Sequence, residues 1–126
     1  MIKFRAWNGY RKMMADYVSA LQNGDTQGTP SSVNVIVNGE NETWDIKNDR
    51  VELLHFTGLK DVNGRDIYEG DILENRKYRS IVKFASGKFL ADVVGTISRF
   101  DLIGETHGSK IIGNIHENPE LLEADK

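Results

Sequence analysis

Short runs of alternating apolar and polar residues, separated by Gly, Asn, Asp and Pro, occupy most of this chain. Lys3 to Trp7 reads KFRAW and is followed by Asn8-Gly9, a pair that tolerates positive φ at both centres of a two-residue hairpin turn. A return strand falls at Arg11 to Met14. Met13, Met14, Tyr17, Val18 and Leu21 also lie at helical spacing, so residues 10–22 stay open between helix and strand. From Gln22 to Ser32 the residues are those of a long loop, whose order the pattern does not decide. Val33 to Val37 is β-branched and leads through Asn38-Gly39 to the alternating Glu42 to Ile46, which predicts a second hairpin.

The apolar run Val51 to Phe56 predicts a buried strand in which His55 is partly covered. Beyond it, Asn63-Gly64 and Glu69-Gly70-Asp71 read as turns around the short extended piece Asp66 to Tyr68. Ser80 to Phe84 and Lys88 to Val93 flank Ala85-Ser86-Gly87 as a hairpin, and Arg99 to Ile103 fits either a strand or a short helix. Lys110 to His116 reads as the closing strand. Asn118, Pro119 and Glu120 then start a helical turn, with Asn118 as the cap. Strands this short and this close together predict a mainly β fold, a small barrel or roll, because closure removes edges that would otherwise pair with other chains.

Composition narrows the class. A length of 126 residues predicts one domain, and no apolar run approaches the roughly 18 residues of a membrane span. No apolar h-region follows the first basic residues, so no secretory signal is expected. With no cysteine, disulfides and thiolate metal sites are excluded, in keeping with a reducing cytoplasm. A net charge of −3 argues against broad binding of phosphate backbones.

Candidate chemistry concentrates in Thr57 to Leu73, TGLKDVNGRDIYEGDIL, where Asp61, Asp66, Glu69 and Asp71 stand among glycines. A calcium loop starting at Asp61 would continue through Asn63, but Arg65 then occupies a ligand position and Asp66 the place of the obligatory glycine. A phosphate loop would need glycines leading into a helix, whereas Gly70 leads into Ile72. Turn glycines with solvated acids remain. Glu69 and Asp71, two apart, are the one carboxylate pair with the look of a hydrolase. His55, His107 and His116 lack zinc spacing, leaving only a site assembled in space from His107, His116 and Asp101 or Glu105. The densest basic stretch is Arg76, Lys77, Tyr78 and Arg79, with Lys83 close behind. It reads as a solvated edge strand protected by charge, or alternatively as a nucleic-acid contact.

The blocks KFRAWN, HFTGLKDVNGRDIYEGDIL and IIGNIHENPELL, in that order, resemble the YopX family of small phage and prophage proteins. Phe56, Val62 and His116 stand where that family's pattern has Tyr, Lys and Tyr, and the segment from Met14 to Asp49 departs freely. The resemblance implies a single domain over residues 1–126, with variable hairpins in 1–50 and an SH3-like barrel core in 51–118. It also implies phage or prophage origin and self-association, and carries over no catalytic, cofactor or metal residue. The expectation is therefore a non-enzymatic homo-oligomer in the bacterial host cytoplasm, without cofactor, acting on a host or phage protein. A nucleic-acid module using Arg76, Lys77, Tyr78, Arg79 and Lys83 is the alternative, and a hydrolase the third.

Overall fold

Alternation of period two is the organising pattern of the computed structural model, which describes residues 3–23 and 30–123. The strands are β1 (Phe4–Asn8), β2 (Met13–Met14), β3 (Tyr17–Asn23), β4 (Pro30–Val37), β5 (Glu40–Asp45) and β6 (Val51–Lys60). They continue with β7 (Asp66–Tyr68), β8 (Asp71–Glu74), β9 (Arg79–Ala85), β10 (Lys88–Val93), β11 (Arg99–Asp101) and β12 (Lys110–Asn114). Single 3-10 turns cover Leu102–Gly104 and Pro119–Leu122. The fold is mainly β. Among the described residues no helix is long and apolar enough to cross a membrane.

By contacts the chain divides into two units, Met1–His55 and Phe56–Lys126. In the first, β2, β1 and the opening half of β6 form one antiparallel ladder, and β3, β4 and β5 another. Val33, Val35 and Val37 project from one face of β4 and are buried with Trp44, Ala6, Ala15 and Val51. Burying an aliphatic side chain of this size contributes about 1.5–3 kcal/mol, so this valine row anchors the unit.

Residues 10–22 hold no helix: 10–12 are turn, and β2 and β3 take Met13–Met14 and the stretch from Tyr17 on, where Tyr17 and Leu21 face solvent while Val18 packs on the core, a split that period two produces. The long loop expected from Gln22 to Ser32 is shorter, since β3 reaches Asn23 and β4 begins at Pro30. Whether that loop is ordered is a question that falls on 24–29, outside the described residues. Asn38-Gly39 is the expected turn, with φ of 52° and 81°. Asn8-Gly9 is not. The Asn8 carboxamide oxygen instead accepts the amides of Tyr10 and Arg11 at 3.0 and 2.8 Å, and the positive φ falls on Lys12. Gly9 is required for space, because a Cβ there would stand 2.9 Å from the Arg50 carbonyl oxygen.

Strand β6 is less covered than the buried strand with a partly covered His55 that VELLHF predicted. Val51 and Leu54 are buried but Glu52 and His55 are exposed, so it is a half-covered strand, and His55 lies beside the Phe4 ring with centroids 5.1 Å apart.

In the second unit, the closing half of β6 pairs with β7, and a five-stranded antiparallel sheet runs β11-β10-β9-β8-β12. The order is compatible with the small barrel or roll expected there. Leu73 pairs with Ile111 and Val82 with Ala91, placing all four in the core with Ile67 and Leu102. Ser86-Gly87, with φ of 54° and 81°, closes the β9–β10 hairpin.

The ambiguous Arg99 to Ile103 is strand and then 3-10 turn. Closing strand β12 stops at Asn114 and not His116. There the Asn114 side-chain oxygen accepts the amides of His116 and Glu117 at 3.0 and 2.8 Å, folding the chain back. Asn118 holds the N-cap position of the turn that follows, with Pro119 and Glu120 behind it as expected, but its side chain makes no capping bond. Its oxygen accepts the Asn114 amide at 3.2 Å, filling the space over Gly113 where a Cβ would clash.

Candidate functional site

The acids of TGLKDVNGRDIYEGDIL are not all solvated, contrary to the sequence expectation. Asp61 is 6% exposed and Asp71 1%. Asp61 Oδ1 accepts the amides of Asn63 and Arg65, both at 2.9 Å, while Oδ2 reaches across to the Ile111 amide at 2.8 Å. Burial pushes the Asp61 carboxyl up, but the amides of Ile111, Arg65 and Asn63, with the Arg65 charge, outweigh it and hold the group below its usual range. Asp61 therefore fastens the turn to β12. Asp71 accepts the Tyr68 amide at 2.8 Å from a buried position, so the Glu69/Asp71 pair does not present two carboxylates on one accessible side. Asp66 pairs with Lys60 at 2.6 Å on the surface.

The histidine site is not assembled: among the described residues, no three His, Asp or Glu side chains gather as a metal site requires. His107 lies in the exposed turn after Gly104, and His116 in the turn beyond β12. Glu105 has a different task. It accepts the Tyr78 hydroxyl at 2.7 Å, and that hydrogen bond, with burial, pushes the phenol above its usual range.

The basic stretch is not an edge strand. Its second half, β9, lies in the middle of the five-stranded sheet, because β8 and β10 flank it on both sides. The five side chains expected to act together consequently part company. Tyr78 stacks on Phe100 with centroids 5.9 Å apart and planes at 17°. Arg79 donates from Nε to Glu74 at 3.1 Å and from Nη1 to the Leu121 carbonyl at 3.2 Å. Lys83 lies 3.5 Å from Asp92, which Arg99 also engages. The bond to Arg99 leads the causes that hold the Asp92 carboxyl below its usual range.

Arg76 and Lys77 remain together and exposed on the loop between β8 and β9. Asn75 sets that loop. Its side-chain oxygen accepts the amides of Lys77 and Tyr78 at 2.8 and 2.9 Å, and its own amide donates to the Tyr78 carbonyl at 3.0 Å.

This loop forms one wall of a groove of about 540 Å³, whose other walls are Val93 to Thr96 and the C-terminal Leu121 and Glu123. A second hollow of about 300 Å³, reaching Lys110, shares Glu74, Asn75 and Arg76 with it. Sequence reasoning missed Val93, Val94 and Leu121: Val93 reads only as the end of a strand, Leu121 only as an apolar position of the terminal turn, and Val94 carries no signal. It also passed over Asn75, although Asn two residues before Lys77 is a recognisable turn signal.

A sequence profile described as "YopX protein" matches residues 3–123. Among solved structures, protein EF1440 from Enterococcus faecalis is similar, with 30% identity, a TM-score of 0.67 and coverage of 98% of this chain and 99% of that one. Protein yopX from Bacillus subtilis shares the fold at 22% identity and a TM-score of 0.63, with 98% of each chain covered. No curated protein matches.

Proposed function

We propose that this chain, which belongs to the YopX family, is a non-enzymatic β-protein of phage or prophage origin that acts in the host cytoplasm by protein contacts, first of all with copies of itself. The observation that carries this reading is the condition of the sheet edges. An unpaired edge is a template for another strand unless charge, shortness, a bulge or a cover blunts it. Strand β5 carries Glu40, Glu42 and Asp45, and β11 is three residues long with Arg99 and Asp101 at its ends. Along β12 the side chains of Asp61, Arg65 and Asn118 take up the Ile111 amide, the Ile111 carbonyl and the Asn114 amide.

Strand β3 lacks the charge and the shortness that blunt those edges. YVSALQN is seven residues long with no charge, Pro or Gly, exposes Tyr17 and Leu21, and pairs only with β4 among the described residues. Two register shifts, between Val18 and Ala20 and between Gln22 and Asn23, twist it without adding charge. Light scattering after size exclusion is expected to give an oligomer for the wild type and a monomer for Tyr17→Lys/Leu21→Lys, with the far-ultraviolet circular dichroism unchanged. A strictly monomeric wild type, or a double variant of unaltered mass, would overturn the reading.

The nucleic-acid reading has less support. Of its five residues, Tyr78, Arg79 and Lys83 are already engaged by Phe100 and Glu105, by Glu74 and Leu121, and by Asp92.

A further inference from the structure

The described cations of the second unit are almost all committed. Lys60, Arg79, Lys83, Lys88, Arg99 and Lys110 each lie within 4.0 Å of a carboxylate. Arg65 donates to the Ile111 carbonyl at 3.4 Å and feels the Asp61 charge. The exceptions among the described residues are Arg76 and Lys77, adjacent in sequence and both on the wall of the larger groove. A flexible loop would scatter two such charges. The Asn75 turn, with three hydrogen bonds of 2.8–3.0 Å, fixes the backbone that presents them.

We infer that this groove is a docking site for a short acidic peptide segment of a partner protein, one that sets aliphatic side chains against Val93, Val94 and Leu121 and carboxylates against Arg76 and Lys77. The groove belongs to the second unit and β3 to the first, so neither inference depends on the other. The groove's volume falls within the range of about 300–1,000 Å³ typical of ligand sites. Val93, Val94 and Leu121 share the lining with Arg76 and Lys77, and apolar contacts bordered by charge are the usual arrangement of a protein-recognition patch. Glu74, also in the wall, is compensated by Arg79 at 3.1 Å and Lys110 at 4.0 Å.

Glu123 is the remaining acid of the lining. It disfavours a nucleic acid, which carries a charge at every nucleotide, more than a peptide that can place an apolar residue there. Tyr78 is also withdrawn from base stacking by Phe100.

The test uses the full chain and a fluorescein-labelled six-residue peptide of alternating glutamate and leucine, with an oligothymidine of similar length and a lysine–leucine peptide as comparators. Fluorescence anisotropy is expected to show saturable binding of the acidic peptide alone, and amide resonances of Val94 and Gly95 are expected to shift on its addition. Arg76→Glu/Lys77→Glu is expected to weaken binding about tenfold or more, which corresponds to about 1.4 kcal/mol. Arg76→Gln/Lys77→Gln serves as the milder form, and Lys47→Glu/Lys88→Glu imposes the same change of net charge elsewhere. No binding, tighter binding of the oligonucleotide, shifts outside the groove, or equal losses in the charge-reversed and control variants would each overturn the proposal.

Discussion

At the scale of single residues, the side chain that matters most to the second unit is one the sequence offered as a ligand. Asp61 spends both carboxylate oxygens on three backbone amides, those of Asn63, Arg65 and Ile111. Asp61→Ala leaves these donors without acceptors, at least one of them buried, and should cost about 2–4 kcal/mol, read as a lower urea midpoint at unchanged slope. The group also has a pH signature. Its folded pKa lies below the unfolded value, so the unfolded chain binds the proton first as pH falls. The stability it contributes is complete above an unfolded pKa of about 3.9 and is lost as pH drops through the folded value. Melting temperatures of wild type and Asp61→Asn should therefore converge on acidification below about pH 4. Parallel curves across that window would show that the carboxylate charge is not what the amides hold.

Among the elements, the turns divide into those that need a backbone conformation and those that need room. Gly70, between β7 and β8, has φ of +89°, and a methyl group in place of its hydrogen would meet Ile115 and His116 at 3.7 and 3.9 Å, ordinary contact distances. Conformation is the constraint here. Its amide donates to the Val82 carbonyl at 2.8 Å and its carbonyl accepts the Ile115 amide at 2.9 Å, so the turn cannot relax without losing both bonds. Gly70→Ala should cost about 1–2 kcal/mol and the β-branched Gly70→Val more, enough to lower the melting temperature by several degrees. An unchanged melting temperature for the valine variant would show that the turn tolerates an L side chain. Turns such as Asn38-Gly39 and Ser86-Gly87 are legible in the sequence because they depend only on their own residues. Asn8-Gly9 misleads because Arg50, more than forty positions away, decides what that glycine is for. Arg76 to Lys83 looks like an edge because the strands that flank β9 cannot be inferred from its own charge pattern.

For the whole molecule, the same limit explains how much of the candidate site is visible in the sequence. Arg76 and Lys77 stand out as a basic stretch, but the groove they overlook is closed by Val93 to Thr96 and by Leu121, segments brought together only by the fold. Their freedom from ion pairs becomes visible only once every neighbouring cation has been given its carboxylate. The molecule then offers two surfaces of opposite character. The β3 edge is uncharged over its seven residues, whereas the groove rim carries adjacent cations. Salt separates them, since a Debye length of about 10 Å at 0.1 M shrinks to about 3 Å at 1 M and screens exposed charges while leaving backbone strand pairing untouched. Raising sodium chloride from about 0.05 to about 0.5 M should weaken acidic-peptide binding about tenfold. Sedimentation equilibrium over the same range should find the self-association constant within about a factor of two, because strand addition between neutral edges buries no charge. An assembly that dissolved with salt would place its interface on charged residues and remove β3 from it. An assembly that persisted while peptide binding faded would show two independent contacts on one small chain, each following from the local charge of the strand or loop that makes it.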